Sequence, residues 1–548
     1  MSESAGPTSS QAVETPGQEP GRRRSEWRLL SSLRVIGSWT LLSRLLGYVR
    51  DALTFALLGG RSWQLDAFYT SFSIPNLFRR LLGEGALASA FLPLFSESRQ
   101  KEGDEAAWRF ASLVFSLLAA LLLAVALGGE AVFWVALHLG LASQKSALFL
   151  RLLQVLFPYL VPICLAALVG TMLQAVGRFA RPAFAPNLLN VGWLAGLAVV
   201  CLWGKADMPE LAVTTIAIAV LLSGLLQLGV VQGGLREFHA RLTWRPYWSD
   251  PRFSRMLALL LPAALGSGIF QLNVLADQLI GYYGIKQAGG VSALFLSQRI
   301  LQFPLALVGI AMATISFAAL SEAVGRGDEE DFKQTLGAAL SGVMVLALPA
   351  GVAMMLVAGP AVRLLFERKA FDLAASMRTA AVVVVYGAGL WAYCVQQVLV
   401  RAFHARKDMR TPVRIGIPMV GLNLTLNLIL VGPLAERGLA LATVVTTTLQ
   451  VGLLSWYLRK HLTGAPWRHV LSRTARALVA TAVMGGAIFF SLRLLPPGDR
   501  MVTEALSLAA ALAVGTATYL GLAWLLGIKE VWDLFRRGSG GEALLGGF

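Results

Sequence analysis

Residues 43–55 read "SRLLGYVRDALTF", inside a run that is otherwise apolar from Leu33 to Leu58. At 1.5 Å per residue, Arg44 would lie roughly 15 Å along such a helix. A bilayer's hydrocarbon core is about 30 Å thick. If the run spans a membrane, Arg44 therefore sits near its middle and Arg50 is buried as well. An intramembrane cation costs at least a few kcal/mol unless it faces a wet cavity or a partner. The fold depends on whether the rest of the chain supports a membrane reading.

It does. Of 548 residues, 56% are hydrophobic and 14% charged, against about 25% charged in soluble domains. Apolar runs recur at about 33–58, 66–96, 106–134, 147–177, 183–203, 210–232, 256–283, 291–322, 332–358, 374–403, 411–432, 437–458, 472–494 and 503–527. These fourteen runs predict an all-α polytopic membrane protein with both termini on one side. The net charge of +16 is split among short loops and forms no single basic patch, which argues against nucleic acid. Cys164, Cys201 and Cys394 lie in apolar runs without a CxxC motif, so neither a disulfide nor a zinc site is expected. The first residues, rich in Ser, Pro, Gly and Glu, read as an unstructured tail without the apolar core of a cleaved signal.

One set of loops is rich in Lys and Arg, including "GRRRSEWR", "REFHARLTWRPYWSDPRFSR" and "RAFHARKDMRTPVR". The opposite set is sparse: "GGRSWQL", "GKADMPE", "GIKQAGG", "PLAERG". The positive-inside rule makes the first set and both termini cytoplasmic. One loop breaks the pattern. "RLLFERKAFDLAASMR" (363–378) falls on the outer side yet is basic, and is expected to be an amphipathic segment lying on the outer surface.

The chain also repeats itself. "ALASAFLPLFSESRQKEGDEAAWRF" (86–110) resembles "AMATISFAALSEAVGRGDEEDFKQT" (311–335), and "GRFARPAFAP" (177–186) echoes "ARKDMRTPVR" (405–414). Two six-span units in parallel orientation follow, with the last two spans additional, an arrangement that puts a transport site between halves. The expected division is a cytoplasmic tail 1–28, an N-terminal lobe 29–235, a C-terminal lobe 236–462, two further helices 463–528 and a cytoplasmic tail 529–548.

Charges inside the spans cluster. Span 1 carries Arg44, Arg50 and Asp51; span 2 carries Arg79, Arg80 and Glu84, with Asp66 at its start; span 8 carries Arg299. Arg80 and Glu84 are spaced to pair on one helix. Arg50 and Asp51, being adjacent, are expected to point apart. Arg44 and Arg299 have no carboxylate within a helical turn, so an anionic ligand is expected to pair with them. Arginine's planar fork suits a diphosphate. A second group, Asp277, Asn427, Thr443 and Thr447, could hold Na⁺ or carry a proton. Pro75, Gly83 and Gly85 are expected to bend span 2. There is no GxxxxGK[ST] to bind ATP, no HExxH, no GxSxG and no loop large enough for a soluble catalytic domain.

"SRLLGYVRDA", "DAFYTSFSIPNLFRRLLGEGALASAFLP" and "FPYLVPICLAALVGTMLQAVGRFARPAFAPNLLN" together resemble the MurJ (MviN) family of lipid II flippases in the MOP exporter superfamily, over about residues 30–527. The resemblance implies two six-helix lobes in a V around a cationic cavity, two further helices forming a groove for the lipid tail, and alternating access in a bacterial cytoplasmic membrane. It implies lipid II, the undecaprenyl-diphosphate-linked peptidoglycan precursor, as substrate and no enzymatic activity. Carried over by position, Arg44, Arg50, Arg79 and Arg299 are the cavity arginines, and Asp66 and Glu84 the acidic positions. Two positions depart from the family pattern. Gln298 and Gln302 stand where Asp and Glu are common beside the span-8 arginine, making the cavity more positive. A second carboxylate expected near Val431 is absent, which leaves the coupling open between Na⁺, H⁺ and the membrane potential. No other cofactor is implied. The expected partners are the lipid substrate and membrane lipids, with the chain a monomer in contact with cell-wall synthesis machinery. The alternatives are an exporter of another undecaprenyl-linked glycan and, from a different class, a membrane-embedded glycosyltransferase. The short outer loops disfavour the second.

Overall fold

The computed structural model describes residues 20–83, 86–140, 143–204, 207–238, 242–244, 251–462, 467–495 and 501–528. Glu84, Gly85, residues 1–19 and the segment 529–548 lie outside them. The described residues form helices joined by short turns, with no strand among them.

The first helix, α1, covers Pro20–Leu58. It starts inside the stretch expected to be unstructured, because Pro20 fits a first helical turn and the following arginines are good helix formers. Next come α2 (Trp63–Phe78), a π-helical turn (Arg79–Gly83) and α3 (Ala86–Glu102). Span 2 is thus interrupted where Pro75 and Gly83 predict. The chain continues through α4 (Asp104–His138), α5 (Gln144–Leu156), α6 (Leu160–Ala175), α7 (Ala180–Leu202) and α8 (Pro209–Leu235).

The second half runs α9 (Pro251–Gly284), α10 (Gly290–Pro304), a π-helical turn (Leu305–Ile310) and α11 (Ala311–Arg326). It continues as α12 (Glu329–Leu356), the short α13 (Ala358–Phe366), α14 (Leu373–Ala405) and α15 (Arg410–His461). Two last helices, α16 (Trp467–Leu494) and α17 (Met501–Leu525), pack on each other and on α12 around their own small core. Ala435, with φ 50° and ψ −130°, breaks α15 into two helices that pack back on the bundle just after Pro433. Ten segments among the described residues are long and apolar enough to cross a membrane.

Matching local geometry supports the repeat. Gly103 (φ 90°) and Gly327 (φ 71°) stand at the same turn of the two "GDE" segments, and Lys101–Glu97 and Arg326–Glu322 are matching i,i+4 pairs just before them. The α6–α7 corner closes with Arg178 N donating to Leu173 O at 2.8 Å, and the α14–α15 corner with Asp408 N donating to Phe403 O at 3.0 Å. Both are Schellman turns. The two π turns also fall at equivalent places in the repeat. Pro75 marks the first in the sequence, whereas the run around the second reads as unbroken helix.

The lobes meet most closely at the end of the bundle opposite the N-terminus, called here the distal end. Ala370 N donates to Ala56 O at 3.0 Å, the Phe55 and Phe371 rings lie 5.7 Å apart, and Arg61 pairs with Asp372. Gly289 has φ +90°, and a Cβ there would lie 2.1 Å from Gly60 O. Only glycine meets both demands. At the other end Arg252 of α9 pairs with Glu102 of α3 at 2.9 Å.

The basic segment 363–378 does not lie free on the surface as expected. Val362 and Phe366 are buried, and α13 packs against α14, α17 and α1. Its cations are engaged internally. Arg363 faces Glu504 and Glu367 at 3.4 and 3.5 Å, and Arg368 Nη2 donates to Leu364 O at 3.0 Å. Arg378 binds Glu436 and the Ala288 carbonyl. Internal acceptors thus absorb much of the charge that breaks the loop asymmetry.

Candidate functional site: a cationic central cavity

Two adjoining chambers lie in the middle of the molecule. The first, about 560 Å³, is bounded by α1, α6 and α7 and lined by Arg44, Arg50, Arg79 and Arg299. The second, about 470 Å³, lies between the lobes and shares Arg50, Arg79 and Arg299 while adding Arg80. The arginines quoted from spans 1, 2 and 8 therefore converge, although Arg44 and Arg299 are far apart in sequence.

Two expectations about their pairing are corrected. Arg50 and Asp51 do not point apart: Arg50 folds back so that Nε and Nη2 donate to Asp51 Oδ1 at 2.9 and 2.6 Å. Nor does Arg299 lack a carboxylate, since its Nε donates to Asp51 Oδ2 at 2.9 Å from the other lobe. Local spacing could not reveal a partner on another helix. Asp51, almost fully buried, thus holds two guanidinium groups at once. A carboxylate can do so because its two oxygens offer about four acceptor directions.

Arg50 is fixed further. Its Nη1 donates to Asn190 Oδ1 at 3.0 Å, and its guanidinium lies 4.4 Å from the centre of the Trp193 ring. Trp193 in turn donates to Thr54 Oγ1 at 3.0 Å. Arg79 Nε donates to Asn76 Oδ1 at 2.8 Å. Arg299 lies over Phe295 and keeps 40% of its side chain exposed. Arg44 faces the first chamber and makes no hydrogen bond or ion pair among the described residues. Two or more cations with one shared carboxylate leave the cavity positive, with donors aimed into it.

Asp66 is not in the cavity. It is buried at the distal end, where Oδ2 accepts from Gly289 N at 2.7 Å and Oδ1 accepts from Ser292 N at 2.8 Å and Ser292 Oγ at 2.7 Å. It caps the N-terminus of α10 from the opposite lobe, satisfying donors that the helix itself leaves unpaired. Position at the start of a span gave no sign of this.

The second polar group does assemble in part. Asn427 Nδ2 donates to Asp277 Oδ1, and Asn423 lies 2.9 Å from the same oxygen. Asn423 also reaches Thr443 and Thr446 at 3.5 and 3.4 Å. Thr447 is buried one residue beyond Thr446, and the hydrogen bonds above do not include it. Sequence reading missed Asn423, Asn190, Trp193 and the bridging role of Asp51. Polar residues within otherwise apolar spans were the available signal.

Two helical lobes around a cationic cavity define a polytopic transporter for an anionic solute. The comparisons agree. The model of the family "Lipid II flippase MurJ" matches residues 55–502. Among curated relatives, a probable lipid II flippase MurJ of Rhizobium tropici is 34% identical over 92% of this chain and 95% of its own length. Its counterpart in Vibrio cholerae is 33% identical over 92% and 97%. A solved lipid II flippase MurJ superposes with a TM-score of 0.74 at 22% identity, covering 90% of this chain and 99% of that one. A multidrug resistance MATE transporter of the MOP superfamily follows at 0.64 and 15% identity, over 77% and 95%. The chain belongs to the lipid II flippase MurJ family.

Proposed function

We propose that this protein carries lipid II from the inner to the outer leaflet of a bacterial cytoplasmic membrane by alternating access. The convergence of Arg44, Arg50, Arg79 and Arg299 on one membrane-embedded cavity carries the reading. A diphosphate leaving water needs fixed cationic donors, and guanidinium supplies them bidentately. The chain crosses the membrane fourteen times, counting α2–α3, α5–α6 and α10–α11 as single passes and α15 as two. Both termini are cytoplasmic, which makes the distal end the outer side. In the state seen here the outer side is held shut between the lobes. Headgroup binding favours the alternative state only through contacts that differ between the two states. Asp51 supports this, because an arriving diphosphate competes with it for Arg50 and Arg299 across the lobe interface.

Asp277, with Asn423 and Asn427, is the coupling site. Asn427 Oδ1 is buried without a hydrogen-bond partner among the described residues, and an unpaired amide oxygen beside a carboxylate fits a small hard cation. These residues would hold Na⁺, whose charge offsets the buried carboxylate. The reading is tested in a bacterium depleted of its own lipid II flippase. Expression of this chain should clear the lipid II that accumulates on the inner leaflet. Continued accumulation with the protein present in the membrane would contradict it.

A further inference from the structure

The second chamber has two unlike walls. Its N-terminal-lobe side carries Arg50, Arg79 and Arg80, while the C-terminal lobe contributes Arg299 and, beyond it, uncharged polar groups in pairs. Gln271 and Gln278 of α9 are two turns apart, Gln298 and Gln302 of α10 one turn apart, and Tyr386 and Tyr393 of α14 two turns apart. At those spacings each pair shares a helix face, and all three faces meet in this chamber. No Asp or Glu lines it among the described residues.

Much of this polarity is unspent. Gln298 Nε2 donates to Tyr386 Oη at 3.3 Å. Gln278 Oε1, Tyr393 Oη and Tyr69 Oη are buried without a hydrogen-bond partner among the described residues, and all three side chains border the chamber. Buried polar groups in folded proteins are nearly always paired, and leaving one unpaired is costly. Three around one cavity indicate a ligand that completes them. Tyr69 of one lobe and Phe295 of the other stack with ring centres 4.2 Å apart at the same wall, adding an apolar face.

We infer that this wall is the subsite for the uncharged, amide- and hydroxyl-bearing amino-sugar part of the headgroup, lying next to the arginines that take the diphosphate. The inference rests on the flippase reading above. A side-chain amide both donates and accepts, as do a sugar hydroxyl and an N-acetyl group. A carboxylate wall would instead neutralise the arginines, and an apolar one would leave the sugar's polar groups unpaired. The chamber's volume of about 470 Å³ lies within the range of small-molecule sites.

The test compares two lipids binding to the purified full chain: undecaprenyl diphosphate, and the same lipid bearing N-acetylated amino sugars without peptide. The parent should bind the glycosylated lipid more tightly. Tyr393→Phe, which removes only the hydroxyl, and Gln278→Leu should each weaken the glycosylated lipid about 3–10-fold and leave undecaprenyl diphosphate unchanged. The melting temperature of the ligand-free Tyr393→Phe variant should be unchanged or higher, since an unpaired hydroxyl has gone. Equal loss for both lipids, or no loss for either, would overturn the subsite. A parent chain that binds neither lipid would overturn the flippase reading, and the subsite with it.

Discussion

Asp51 and Arg44 separate structure from binding at the level of single residues. Asp51 joins Arg50 to Arg299 within 2.6–2.9 Å. Its replacement by Ala leaves the buried Arg50 without its carboxylate, and breaking a buried pair costs about 3–5 kcal/mol. Asp51→Ala should therefore lower the melting temperature of the detergent-purified protein by several degrees and abolish function. A variant with unchanged melting would show that the bridge carries no stability. Arg44 has no internal partner among the described residues. Arg44→Ala should melt like the parent yet bind undecaprenyl diphosphate at least about tenfold more weakly, the scale of a charge-assisted hydrogen bond. Normal binding would remove Arg44 from the headgroup site. The arginines themselves were legible in the sequence as charges in apolar runs. Their carboxylate was not, because Asp51 meets Arg299 only by a side-chain reach between helices of different lobes.

Among the elements, α10 has a cap that belongs to the other lobe. Asp66 accepts from Gly289 and Ser292 across the distal seam, so closure of that seam and completion of α10 are one event. Asp66→Ala removes a cap of about 1 kcal/mol and should loosen the seam. A cysteine placed at Ala370 should then react faster with a membrane-impermeant maleimide applied from outside the cell. An unchanged labelling rate would mean that the cap does not hold the lobes together. Gly289→Ala should act more severely, since it offends both the φ of +90° and the 2.1 Å approach to Gly60 O. The breaks in α2–α3 and α10–α11 differed in legibility for a definite reason. Pro75 and Gly83 announce the first, whereas Pro304 lies at the last residue of α10 in a run that otherwise reads as unbroken helix. The unstructured tail was drawn too long because its Ser, Pro, Gly and Glu content was extended over the arginines after Pro20, which are good helix formers.

For the whole molecule, composition and periodicity were enough for an all-helical membrane protein with a repeat, and the matching turns at Gly103 and Gly327 show why. Each half must turn at the same places to bury the same faces. The polar cluster around Asp277 was legible only in part, because Asn423 enters it from one helical turn before Asn427 and no spacing marked it. Asp277→Asn should abolish any stimulation of transport by Na⁺ while leaving lipid binding in place. An unaltered Na⁺ response would remove this cluster from coupling.

The proposed role of the arginines of both lobes is to hold the diphosphate of the transported lipid. Its most direct measurement is rescue of growth in a bacterium depleted of its own flippase, with the membrane level of each variant checked. Arg299→Ala should fail to rescue, and Arg299→Lys, which keeps the charge but loses the bidentate fork, should rescue poorly. The loss from removing Arg44 and Arg299 together should be smaller than the combined single losses, because both serve one ligand. Full rescue by an Arg299→Ala protein present at the parent's level would contradict the account.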